Sequence, residues 1–171
     1  MAKLRDTAEI KVNVPIDQLF LYFYGPLNKM KISSPAKLLS NEPVSITDNV
    51  VGSIYHRAFD LQVVSSSLLK QQSVPVNEFV HKEFEFTILD FLDTPDQKKI
   101  TESYTMEKTV TIETEYLLTR VDEQTTSLQY TYSYSFLSWL SRLMFQFTSK
   151  YDPNVILQDM RNRIESDFLS E

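Results

Sequence analysis

The run "SLQYTYSYSFL", residues 127–137, decides the fold. Tyr130, Tyr132, Tyr134 and Phe136 alternate with Gln129, Thr131, Ser133 and Ser135. A period of two places all four aromatic rings on one face of a β-strand and the small polar residues on the other. The preceding run, "TVTIETEYLLTRV" (residues 109–121), alternates in the same way, with Val110, Ile112 and Tyr116 opposite Thr111, Glu113 and Glu115. Only the polar stretch "DEQTT" separates the two runs, too short for a crossover helix, so the strands are antiparallel. One face of such a sheet is apolar and the other is wet.

The same pattern extends towards the N-terminus. "FVHKEFEFTILDFL" and "KKITESYTMEK" read as two more strands around "DTPDQ". "KLLSNEPVSITDNVVGSIYHRAFDL" reads as a further pair around the turn signal Asp48–Asn49. "AEIKVNV" alternates Ala8, Ile10, Val12 and Val14 with polar residues and opens the sheet. In "PIDQLFLYFYGP" the apolar residues Ile16, Leu19, Phe20 and Phe23 fall at helical spacing between Pro15 and the stop Gly25–Pro26. A second short helix is expected over 27–32. The segment 62–77, rich in Ser and Gln, is expected to be a loop excursion or flap. At the C-terminus Phe136, Leu140, Leu143, Met144 and Phe147 share one helical face. Asp152–Pro153 then starts another helix with a stripe of Ile156, Leu157, Met160, Ile164 and Phe168. The expected fold class is α+β: one domain, residues 1–171, with a curved antiparallel sheet of about seven strands around a long C-terminal helix.

Composition narrows the function. The chain has 171 residues, 42% hydrophobic and 23% charged, as in a soluble globular domain with a full core. Its net charge of −6 supplies no basic footprint for nucleic acid or for an anionic membrane. With 0 Cys there is neither a thiolate metal site nor a cysteine nucleophile. The 2 His, His56 and His81, form no metal-binding spacing, so no metal is expected. The 2 Gly compare with roughly 12 at average usage of about 7%, and they cannot build a phosphate-cradling loop. No cofactor is expected. "MAKLRDTAEIKVNV" carries no apolar leader and no run is long enough to span a membrane, so the expected location is the cytoplasm.

At this point a resemblance can be stated. "AEIKVNVPIDQLFLYF", "VGSIYH", "TIETEYLLTRVDEQTTSLQYTYS" and the closing helix together resemble the START-like (SRPBCC, Bet v 1-like) helix-grip superfamily, which includes polyketide cyclase-like proteins. The likeness spans nearly the whole chain, but its motifs select no single branch. "DEQTT" lacks the glycine common before the last strand, and the 62–77 excursion is unusual. The resemblance implies a cavity between sheet and helix that holds a lipid, sterol or polyketide-like molecule. Some members of the superfamily are catalytic and others bind protein partners.

Tyr104, Tyr116, Tyr130, Tyr132 and Tyr134 all fall on inward positions. A buried phenol needs a hydrogen-bond partner, and a cavity holding water or ligand supplies one more readily than a dry core does. Packing at the core and sheet rim is the plainer alternative. Arg57 shares a face with Tyr55 and Phe59, and Glu102 shares one with Ile100, Tyr104 and Met106. Inward, they would pair with each other or bind a polar head; a bulge shifting parity by one, the commoner outcome, would place them outside. Glu83, Glu85, Glu113 and Glu115 belong to the solvated face, and the histidines are ordinary strand residues. Phe145 lies off the main helical stripe, where it would be a lone exposed ring, a lid or a partner contact.

The first expectation is therefore non-catalytic binding of an apolar molecule. Tyr55, Phe59, Phe86, Tyr104, Tyr116, Tyr130, Tyr132 and Tyr134 would form the wall and Arg57 or Glu102 the anchor, with no catalytic residue assigned. A cyclase- or dehydratase-type enzyme using cavity Tyr and Glu102 is the second reading. A co-chaperone-like interaction module with a plugged interior is the third.

Overall fold

The structure is a computed structural model and describes residues 3–24, 36–64, 77–106, 109–138 and 153–169. Seven strands form one curved antiparallel sheet: β1 (Lys3–Val12), β2 (Ala36–Ser45), β3 (Ile54–Val64), β4 (Asn77–Asp93), β5 (Gln97–Met106), β6 (Val110–Arg120) and β7 (Thr126–Phe136). Their order is β1-β7-β6-β5-β4-β3-β2, a meander from β2 to β7 closed by the N-terminal strand. Two helices are described, α1 (Ile16–Phe23) and α2 (Pro153–Leu169).

The strands follow their sequence periods, except that the face of β7 expected to be wet is largely covered, with Ser127, Thr131 and Ser133 buried. In β6 the buried positions alternate with half-buried ones from Val110 to Leu118. Tyr116 pairs with Tyr130 and Ile112 with Tyr134 across β6–β7, which joins the aromatic side of one strand to that of the next. β1 adds Ala8 opposite Tyr130 and Ile10 opposite Leu128. Bulges interrupt β2 between Leu38/Ser40 and Pro43/Ser45, and β4 between Ile88/Asp90. Each adds a residue on one strand only, so parity changes there without changing on the partner. Gly52 turns the chain into β3 at φ 89, a left-handed value that suits a residue without Cβ.

α1 occupies the expected residues. Pro15 serves as its cap, and the Leu19 N–H donates to the Pro15 carbonyl at 2.9 Å. Ile16, Leu19, Phe20 and Phe23 are all buried, and α1 touches β5 and β6. Lys98 and Arg120 reach its first turn: Lys98 Nζ lies 2.9 Å from Asp17 and also pairs with Asp93, and Arg120 lies 3.6 Å from Asp17. α2 lies mainly on β1 and also meets β7. Leu157, Met160 and Ile164 are buried, while Gln158 and Asn162 face solvent. Phe136 ends β7 and does not begin a helix. The expected helix after it, Phe145, the short helix over 27–32 and residues 65–76 of the excursion lie outside the described residues; Gln62 extends β3 and Asn77 opens β4.

Candidate functional site

On the inner face of β3, β4 and β5, two charges sit among aromatic rings. Arg57 is 5% exposed and Glu102 is 4% exposed. Arg57 Nη1 donates to Glu102 Oε2 at 2.7 Å, and Nη2 donates to Oε1 at 2.5 Å. The Nε–H of Arg57 donates to Asn41 Oδ1 at 2.9 Å. This two-pronged geometry is the one a guanidinium offers a carboxylate. The guanidinium carbon also lies 4.5 Å from the Phe86 ring centroid and 5.9 Å from that of Tyr55, within cation–π range. Burial alone would lower the Arg57 pKa, but the Glu102 charge and its hydrogen bond outweigh that effect and leave it raised.

The outward placement of these two residues does not occur. The bulges of this region fall in β2 and at Leu89 of β4, whereas β3 pairs with β4 and β5 with β6 in unbroken register. Arg57 and Glu102 therefore keep the inward parity of their neighbours. Asn41 joins them because β2 pairs with β3 as Asn41↔Arg57.

Around the pair, Phe86 and Tyr104 have ring centroids 4.5 Å apart, and Phe59 lies 5.9 Å from Phe86. Phe84 fills the corner between them, 5.2 Å from Tyr104. Tyr55 and Tyr104 are half-buried. Along β6 and β7 a second group runs as a ladder, with Tyr116–Tyr130 at 5.1 Å, Tyr130–Tyr132 at 6.0 Å and Tyr132–Tyr134 at 5.1 Å. Tyr116 bridges the two groups. It is 4% exposed, meets Phe23 of α1 at 5.0 Å, and feels the charges of Glu102 and Arg57. Burial, reinforced by Glu102, pushes its phenol well above the ordinary value. Tyr24 is hydrogen-bonded to Tyr55, and burial together with that bond pushes its pKa up to about 12.

Phe23 is legible in the sequence only as part of the α1 stripe, and Tyr24, Asn41 and Lys98 were not among the candidate site residues. Lys98 had a usable signal, since it shares parity with Ile100 and Glu102, and it is 6% exposed. Asn41 had none, because it follows a bulge.

The outer face carries the remaining charges. Glu83 brings the two histidines together: His81 Nε2 lies 3.1 Å from it and His56 Nε2 lies 3.5 Å from it. His81 Nδ1 is also 3.4 Å from Asp60. The hydrogen bond to Glu83, then that to Asp60, raises the His81 pKa. This cluster is exposed, and among the described residues no group of metal-binding side chains is found. Nor is any described helix long and apolar enough to cross a membrane.

No family model matches the chain, and no curated protein matches it in sequence. Solved structures do match. A norcoclaurine synthase point mutant from Thalictrum flavum aligns over 98% of this chain and 96% of its own, with TM-score 0.58 and 11% identity. Ginseng major latex-like protein 151 from Panax ginseng aligns over 94% and 97%, with TM-score 0.57 and 12% identity. The fold is Bet v 1-like. The di-domain ARO/CYC BexL from the BE-7585A biosynthetic pathway is similar as well, with TM-score 0.58 and 11% identity over 95% of this chain and 46% of that one. At such identities the likeness concerns the fold, and the site has to be argued from its own residues.

Proposed function

We propose that the whole chain, residues 1–171, acts as one START-like domain that binds an apolar small molecule between the inner sheet face and the helices, the sheet closing around the C-terminal helix. The buried Arg57–Glu102 pair carries this reading. A buried ion pair adds little to stability compared with well-packed apolar side chains of similar volume, so core packing alone does not account for it. Set among Tyr55, Phe59, Phe86 and Tyr104, it supplies the small number of polar groups that orient a ligand in an apolar pocket. The Tyr116–Tyr134 ladder extends the same wall, and a lipid, sterol or polyketide-like body suits its length and aromatic character. Among the similar folds, one norcoclaurine synthase structure holds dopamine and hydroxybenzaldehyde.

The enzyme reading would need a carboxylic acid free to give a proton. Both oxygens of Glu102 already accept from Arg57, which favours a binding role. Native mass spectrometry of the protein purified from its own host, with solvent extraction of any adduct, tests the proposal. A stoichiometric apolar adduct is the expected result. A clean apoprotein that also ignores added apolar compounds overturns it.

A further inference from the structure

Resting on that binding reading, the charge balance at the site narrows the ligand class. Arg57 and Glu102 cancel each other through two hydrogen bonds, so the buried anchor is neutral as it stands. Tyr116, 4% exposed beside it, has no hydrogen-bond partner for its hydroxyl among the described residues. A buried phenol without a partner is costly, and it can donate one hydrogen bond at no further desolvation cost to itself. An anionic or cationic ligand head would bring a third, uncompensated charge into this surrounding, or would have to break the existing pair.

We propose that the ligand is an uncharged apolar molecule carrying an acceptor oxygen, a carbonyl or hydroxyl, which accepts from the Tyr116 O–H. Ionised fatty acids and ammonium-bearing compounds are rejected.

Three probes of nearly equal shape test this by titration calorimetry at pH 7: naphthalene, 2-acetylnaphthalene and naphthalene-2-carboxylate. The neutral ketone binds at least about ten-fold more tightly than the carboxylate. Tyr116→Phe weakens ketone binding by up to about ten-fold and leaves naphthalene binding unchanged. Carboxylate binding as tight as ketone binding overturns the neutral-ligand inference and leaves the cavity standing. Equal loss of ketone and naphthalene binding in Tyr116→Phe overturns the role of its hydroxyl. Failure of all three probes overturns the cavity reading itself, and the inference with it. The wild-type comparison needs no variant to fold.

Discussion

Arg57 and Glu102 are 45 positions apart, yet each is the other's principal partner. Their value is asymmetric. Glu102→Ala leaves a guanidinium buried with, among the described residues, Asn41 and the aromatic faces for company, and is expected to cost about 3–5 kcal/mol. Replacing both, as Arg57→Met with Glu102→Leu, is expected to stay within about 1 kcal/mol of the parent or to stabilise it. Urea denaturation of the two variants separates the cases; equal losses would show that the pair itself holds the fold. Tyr116→Phe removes a hydroxyl that has no hydrogen-bond partner among the described residues, so the Tm of the ligand-free protein should hold or rise. A clear fall would reveal a partner for that hydroxyl. At this scale alternation offered an inward placement but favoured no more than that, because the sequence cannot say whether a bulge shifts parity. The outward placement it preferred is overturned by the unbroken β3–β4 and β5–β6 registers. The pairing was not legible, since it also needs β3, β4 and β5 to lie side by side without a slip.

Lys98 shows how an element is held. It ties β5 to Asp17 in α1 and to Asp93 at the end of β4, with its ammonium 5.1 Å from the Phe20 ring. Its acidic partners are themselves exposed, at 67% and 50%. Losing Lys98 therefore leaves two carboxylates that water can solvate, a milder outcome than a stranded Arg57. Lys98→Met, which keeps most of the stem, is expected to cost about 1 kcal/mol or less in urea unfolding. A loss as large as that of Glu102→Ala would contradict this ordering. Strands β4 to β6 were readable because each has one wetter face, and β7 because its aromatic and small polar residues alternate, although Thr131 and Ser133 are themselves buried. α1 was readable because its apolar residues sit at helical spacing between Pro15 and Gly25. The bulges in β2 and β4 were not readable, because an extra residue on one strand is defined only against its neighbour. The meeting of His56 and His81 at Glu83 has the same origin, in the pairing of Ala58 with Glu83.

Across the whole molecule, the buried phenols set an alkaline limit. Burial and the bond to Tyr55 push the Tyr24 pKa up to about 12, and burial raises that of Tyr116 as well, against an ordinary value of about 10 in the unfolded chain. A folded pKa above the unfolded one means that the native state stays protonated while the unfolded state ionises. The stability associated with these groups is thus fully present below about pH 10 and is lost as pH climbs beyond it. Urea midpoints measured between pH 8 and 11.5 should fall above pH 10, and Tyr116→Phe should shift that fall to higher pH. A flat profile would mean that both phenols are solvated in the native state. His81, raised by Glu83 and Asp60, works at the other end: what it contributes is present below the unfolded histidine pKa and is lost as pH rises through its folded one.

By itself the sequence determined the antiparallel sheet, the aromatic inner face, α1, and the lack of cysteine thiolates and of a glycine-rich phosphate loop, because these follow from local period and composition. Only the tertiary structure decided that Arg57 and Glu102 are locked together, that Asn41 holds the third side of the guanidinium, and that Tyr116 stands beside them without a hydrogen bond among the described residues. The physical reason is register. Period states which way a side chain points, but the partner it meets depends on where each bulge shifts one strand against the next.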